Sequence, residues 1–284
     1  MFVDATLQKA YTFYAITAQT VCAKGEKYMD HIVPEKIAEE FLSELDCRQT
    51  DIRVNLFAVT CLSIEDLADI QYEPMREGML VAFQTVKLVF DQSVDSISYI
   101  PQKQVIKLNP FRKFSVGNFL KDEAHALRKA LVHEAAHALD YLAGDEYIPN
   151  SCQVGLSNHL YDDMKRLVEQ SVLPKRHLIP QPTSVNKSVY DYFMAHEEID
   201  KPSQAVMGEI LSGYYQQLVN DGGHPAEYWH QAKRFGDFEE IYTTEVFAKF
   251  VEQCTKRSEL LGVQKLFPGT YNKLVQIATT IHIQ

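Results

Sequence analysis

Two imidazoles one helical turn apart, with a carboxylate beside the first, can hold a divalent cation and activate water. The sequence carries that arrangement at His133-Glu134-Ala135-Ala136-His137. On a helix turning ~100° per residue, His137 falls about 40° from His133, so both rings point the same way. Two neutral imidazoles reach one zinc ion at ~2.0–2.1 Å, and a third protein ligand leaves the fourth tetrahedral position to water. Zinc draws the pKa of that water towards neutrality, and Glu134 stands where it can take the proton as the water attacks a carbonyl. Asp140, about 20° to the other side of His133, is placed to accept a ring N–H and fix the tautomer of a ligand histidine.

A long helix must carry these groups. Its pattern runs from about Val116 to Ala143, with Gly144 as the stop. Ala124, Leu127, Leu131, Ala135, Ala138 and Leu142 fall on the arc opposite the histidines and predict a packing stripe. His125, two turns upstream and about 80° away, belongs to the surface. The third ligand must come from farther along the chain. Glu169 ends an amphipathic run and reads as a solvated charge, while Glu239, Glu240 and Glu245 cluster in GDFEEIYTTEVFAKFVEQ. There Phe247, Phe250 and Val251 predict a buried stripe, but spacing does not choose among the three acids.

HEAAHALDYLAG resembles the zinc helix of the anthrax lethal factor family and its relatives, the Pro-Pro endopeptidases. The likeness covers Leu131–Gly144 and a second block, Glu245-Val-Phe-Ala-Lys-Phe. It implies a zincin-like metallopeptidase in which His133, His137 and Glu245 bind zinc and Glu134 is the general base. Relatives carry a catalytic tyrosine seven residues before the ligand glutamate; here that position is Phe238, which leaves Tyr242 as the candidate oxyanion donor on an early-starting helix. The stretch from Asp145 to Thr244 is longer than in the family and implies an insertion. The resemblance also implies a protein or peptide substrate, and an exported bacterial effector or toxin acting on a host protein.

The remaining elements frame that helix. Tyr11–Lys27 and Pro34–Leu45 read as amphipathic helices, and Ser63 as the N-cap of a short helix over IEDLADI. Asn55–Leu62 and Met79–Phe90, rich in Val, Leu and Phe, suggest strands, and Ser96–Pro110 suggests two strands broken by Pro101. Lys103–Asn109 is expected to be an edge strand to which a peptide can add, with an internal hairpin as the alternative. Val172–Ser188, with three prolines, reads as a loop or flap, and DGGHP at Asp221–Pro225 as a second break. The expected fold is α+β and mainly helical, with a small mixed sheet: residues 1–95 a helical accessory region, 96–284 the peptidase domain, and the insertion around 170–235.

Composition narrows the partners. The chain has 284 residues, 46% of them hydrophobic, and a formal net charge of -10, which excludes disorder as its main theme and disfavours nucleic acid. No run approaches the ~18 apolar residues of a membrane span. The N-terminal residues lack the pattern of a Sec signal, so the expectation is a cytoplasmic protein or one exported by a specialised route. Five scattered cysteines without a C-x-x-C pair suggest free thiols. Two rival readings use the same residues. Glu134-Ala-Ala-His137 and Glu227-Tyr-Trp-His230 form the E-x-x-H pair of di-iron helical bundles. A non-enzymatic domain with a structural metal would need a fourth ligand, for which His224 and His230 are candidates.

Overall fold

A computed structural model describes residues 33–45, 50–109, 121–145, 148–174, 199–219, 223–235 and 238–283. The expected helix over Tyr11–Lys27 and most of the expected flap at Val172–Ser188 lie outside these residues. The described chain is mainly helical, with one three-stranded mixed sheet. None of its helices is long and apolar enough to cross a membrane. It divides into two compact units: one holds the described residues up to Gln71 together with Arg76–Leu139, the other holds Tyr72–Met75 and everything described from Asp140 onward.

The first unit begins with α1 (Pro34–Phe41), its proline in the first turn, and α2 (Thr50–Asp66). The segment expected as a strand, Asn55–Leu62, is the middle of α2. Leu56, Phe57, Val59, Cys61 and Ile64 are all buried, so apolar residues surround the helix and leave no single stripe to reveal its period. Buried Thr60 and Ser63 return their hydroxyls to Leu56 O (2.8 Å) and Val59 O (2.9 Å), which removes the cost of hiding them. Ser63 is therefore inside a helix, and only a 3-10 turn, Leu67–Asp69, follows.

Next come α3 (Glu73–Thr85), β1 (Lys87–Phe90), β2 (Ile97–Ile100) and β3 (Val105–Leu108). The expected strand over Met79–Phe90 is thus half helix and half strand. Pro101 does separate β2 from β3. The sheet order is β1-β3-β2, with β1 parallel and β2 antiparallel to β3. This overturns the expected edge strand at Lys103–Asn109: β3 is paired on both sides, and β2 stands at a margin. β1, before residue 95, pairs with β3, after it.

The helix with the histidines, α4 (Lys121–Leu142), follows. In the first unit Leu139 packs into the space above Gly78, where an added Cβ would come within 2.6 Å of its Cδ1. Ser63 Oγ reaches Arg128 O (3.3 Å), and Arg128 forms a two-pronged ion pair with Asp66, tying α2 to α4. The predicted stripe is buried at Leu127, Leu131, Ala135 and Ala138, and Val132, Ala136 and Leu139 are buried as well. The turn after Leu142 needs Gly144 for closeness: a Cβ there would lie 1.9 Å from Ile148 O.

The second unit contains α5 (Asn150–Gln153), α6 (Leu156–Glu169), α7 (Lys201–Tyr215), α8 (Ala226–Phe235), α9 (Phe238–Cys254), α10 (Leu261–Leu266) and α11 (Pro268–Thr280). α9 is its axis, packed by α5, α6, α7 and α8, and α11 lies along α6. Phe247, Phe250 and Val251 are buried as the pattern predicts. Trp229, Phe238 and Tyr242 meet edge-on or stacked at 5.9–6.3 Å between ring centres, an arrangement favoured by aromatic quadrupoles.

Candidate metal centre

Helical spacing brings the imidazoles together as expected. His133 Nε2 and His137 Nε2 are 3.2 Å apart, with the rings edge to face. Two nitrogens bound to one tetrahedral zinc ion would stand about 3.3 Å apart, given bonds of ~2.0–2.1 Å. Glu134 on the same helix accepts a hydrogen bond from the Tyr99 backbone N–H at 2.6 Å. Tyr99 is in β2, so the strand at the sheet's margin fixes the carboxylate expected to act as base.

His133 and His137 belong to the first unit, and Glu245, the acid that the resemblance selects, belongs to the second. Glu245 and His137 are buried. The other acids that the sequence leaves open are engaged or exposed: Glu169 and Glu239 face solvent, and Glu240 accepts the Tyr141 hydroxyl at 2.6 Å. Two imidazoles and one carboxylate make the donor set of an open zinc site, and their residue types fit that ion.

Asp140 is fully buried, with both carboxylate oxygens bonded by Ser151, to its amide at 2.7 Å and its hydroxyl at 2.6 Å. It anchors the start of α5. Tyr242 needs a correction. α9 does start early enough to place it one turn before Glu245, yet the side chain turns into the core, fully buried, and its hydroxyl donates to Ile210 O at 2.8 Å. It is a packing residue, with no hydroxyl to spare for an oxyanion.

Around Glu245 the second unit gathers groups that spacing does not reveal. The Tyr228 hydroxyl donates to Glu245 Oε1, and His224 Nε2 lies 3.8 Å from Glu245 Oε2. His224 Nδ1 meets Glu209 Oε1 at 2.8 Å, and Glu209 is 1% exposed. Glu209, His224 and Glu245 also satisfy the spacing of a metal-holding group. Burial opposes the charge on Lys249, but Glu252, Glu209 and Glu245 outweigh it and hold its pKa above the ordinary lysine value. Its ammonium donates to Glu252 at 2.6 Å. The usable signal is DGGHP: two glycines before a histidine mark a backbone shaped to hold that side chain.

The di-iron scheme loses its second half, because Glu227 and His230 are both exposed on α8 while Trp229 between them is buried. His230 is equally unsuited to close a structural site. Cys61, Cys152 and Cys254 are free thiols, and burial raises the pKa of each, that of Cys152 to about 12. No family model, curated protein or solved structure matches this chain.

Proposed function

We propose that the protein is a zinc-dependent endopeptidase of the His-Glu-x-x-His type, with a zincin-like arrangement and a protein substrate. The observation that carries this reading is the pair of imidazole nitrogens at 3.2 Å with a fixed carboxylate on the intervening residue. His133, His137 and Glu245 would hold the metal. A zinc ion bound there would supply Lewis-acid activation of water and of the scissile carbonyl.

Everything else falls to the chain's own groups. Glu134 takes the proton of the attacking water and returns it to the departing amine, the two halves of general base and general acid catalysis. The hydrogen bond from Tyr99 keeps Glu134 correctly turned, so the base needs no reorganisation when the water arrives. A substrate strand would align along the outer margin of β2, where the Tyr99 amide is already committed to Glu134. Export by a specialised route and action on a host protein belong to the same reading, through the resemblance of the zinc helix.

Glu134→Gln is the decisive variant. It should keep its zinc, measured by elemental analysis, while cleavage of an unstructured protein substrate falls by about 10²–10⁴-fold. His137→Ala should lose the metal as well. Full proteolysis by Glu134→Gln would remove the proposed mechanism.

A further inference from the structure

We infer that Tyr228, His224 and Glu209 form a clamp that fixes the carboxylate of Glu245 before any metal arrives. The inference rests on the reading of Glu245 as a zinc ligand and assigns positioning residues that the family resemblance does not supply. A glutamate is a poor ligand when left to itself, because its side chain must give up several rotatable bonds to present one oxygen to an ion. Here each carboxylate oxygen has a neighbour: the Tyr228 hydroxyl on Oε1, and His224 Nε2 at 3.8 Å from Oε2.

The neighbours are themselves held. The buried Glu209 carboxylate meets His224 Nδ1 at 2.8 Å, which sets the ring with Nε2 towards Glu245. The imidazole stacks on the Tyr228 ring at 4.0 Å between centres and 24° between planes, so turning either ring would disturb the other. The backbone is locked as well. His224 N donates to Ser212 Oγ at 2.9 Å, Ser212 Oγ donates to His224 O at 2.8 Å, and Trp229 Nε1 donates to the same carbonyl at 3.0 Å.

Gly223 makes that lock possible. Its φ of +76° suits glycine, and a Cβ there would lie 2.1 Å from Ser212 Cβ. α7 thus supplies Glu209 and Ser212 one turn apart, one for the ring and one for the backbone of the same histidine. Partners in this outer position hold ligands in productive geometry, and their loss typically costs 10–100-fold in metal affinity.

The test is zinc affinity, measured on the full chain by competition with a chromophoric chelator. Tyr228→Phe retains the ring stack and Glu209→Gln retains a hydrogen-bonding partner for His224, so both should fold, as thermal melting of the metal-free protein would verify. Each should bind zinc about 10–100-fold more weakly than the parent. Tyr242→Phe, which removes a buried hydroxyl nearby that does not bond Glu245, should bind as the parent does. Parental affinity in both Tyr228→Phe and Glu209→Gln would overturn the clamp. So would a second equivalent of bound zinc that disappears in Glu209→Gln, since Glu209 and His224 would then be ligands. Parental affinity in His137→Ala would sink the peptidase reading and the clamp with it, whereas loss in His137→Ala beside parental affinity in both Tyr228→Phe and Glu209→Gln would overturn the clamp alone.

Discussion

The helix that carries the two histidines and the helix that carries Glu245 solve opposite packing problems. α4 surrounds its histidines with small apolar residues, Ala135, Ala136 and Ala138, and its side chains meet neighbours through a leucine over a glycine. α9 is enclosed by rings and by polar groups that bond one another, from Tyr242 to the Glu209–His224 pair. The cause lies in the side chains to be placed. An imidazole one turn from another is already oriented by the helix, whereas a lone buried glutamate must be oriented and compensated by others. Order in the second region is therefore bonded side chain to side chain, and in the first it is mostly steric.

Two glycines put a scale on this contrast. At Gly213 an added Cβ would lie 2.1 and 2.3 Å from ring carbons of Tyr242, whose hydroxyl is anchored and whose ring is enclosed. Gly213→Ala should cost ~1–3 kcal/mol, the usual toll of overpacking a rigid site. At Gly78 the obstacle is Leu139 Cδ1 at 2.6 Å, the far end of a side chain that can change rotamer. There the ~1 kcal/mol gained by replacing a helical glycine offsets the shift, and Gly78→Ala should be close to neutral. Urea denaturation of both variants checks the ranking; equal losses would mean that the two regions are equally rigid.

A smaller effect is expected where the second region bonds its helix ends. Asp200 caps α7, accepting from Ser203 N at 2.8 Å and Ser203 Oγ at 2.6 Å, and the Ser258 hydroxyl approaches at 3.2 Å. By contrast α1 starts on a proline with no side-chain cap. Burial opposes the charge on Asp200, but these bonds outweigh it and hold its pKa below the ordinary aspartate value. A depressed folded pKa contributes stability above the unfolded pKa of ~3.9, and that contribution fades as pH falls through the folded value. Asp200→Ala should cost ~1 kcal/mol at pH 7. The gap from the parent should narrow as the acid limb of the stability curve is descended, and a constant gap would assign the loss to packing.

The same contrast governs how much of each region is legible in the amino-acid sequence. α4 is legible because its period, its glycine stop and its five-residue motif all lie within one segment. Lys87–Leu108 is legible in part: Pro101 marks the break, but not that β1 pairs with β3 across it and leaves β2 at the margin. α2 has the composition of a strand because it is buried on most sides and its hydroxyls are satisfied by its own backbone, so neither periodicity nor polarity exposes it. Tyr242 and Tyr228 show the deeper difficulty. Both precede Glu245 by spacings that a helix or a turn can use, and which one reaches the carboxylate depends on how α7 and α8 pack on α9.

Exchanging the fates of those two tyrosines is the sharpest small test. Tyr242→Phe deletes a hydroxyl whose acceptor, Ile210 O, stays buried within α7. A lost neutral hydrogen bond costs ~0.5–1.5 kcal/mol, here at the lower end because that carbonyl remains available to its own helix. In a chain of this size that is a fall of a few degrees in melting temperature, with proteolysis unchanged once the protein is folded. A tyrosine that stabilised an oxyanion would behave in the opposite way, leaving melting untouched and lowering turnover by ~10²-fold or more. Measured side by side, turnover should separate from stability at position 242, because the hydroxyl there serves the core of the second region and reaches no substrate.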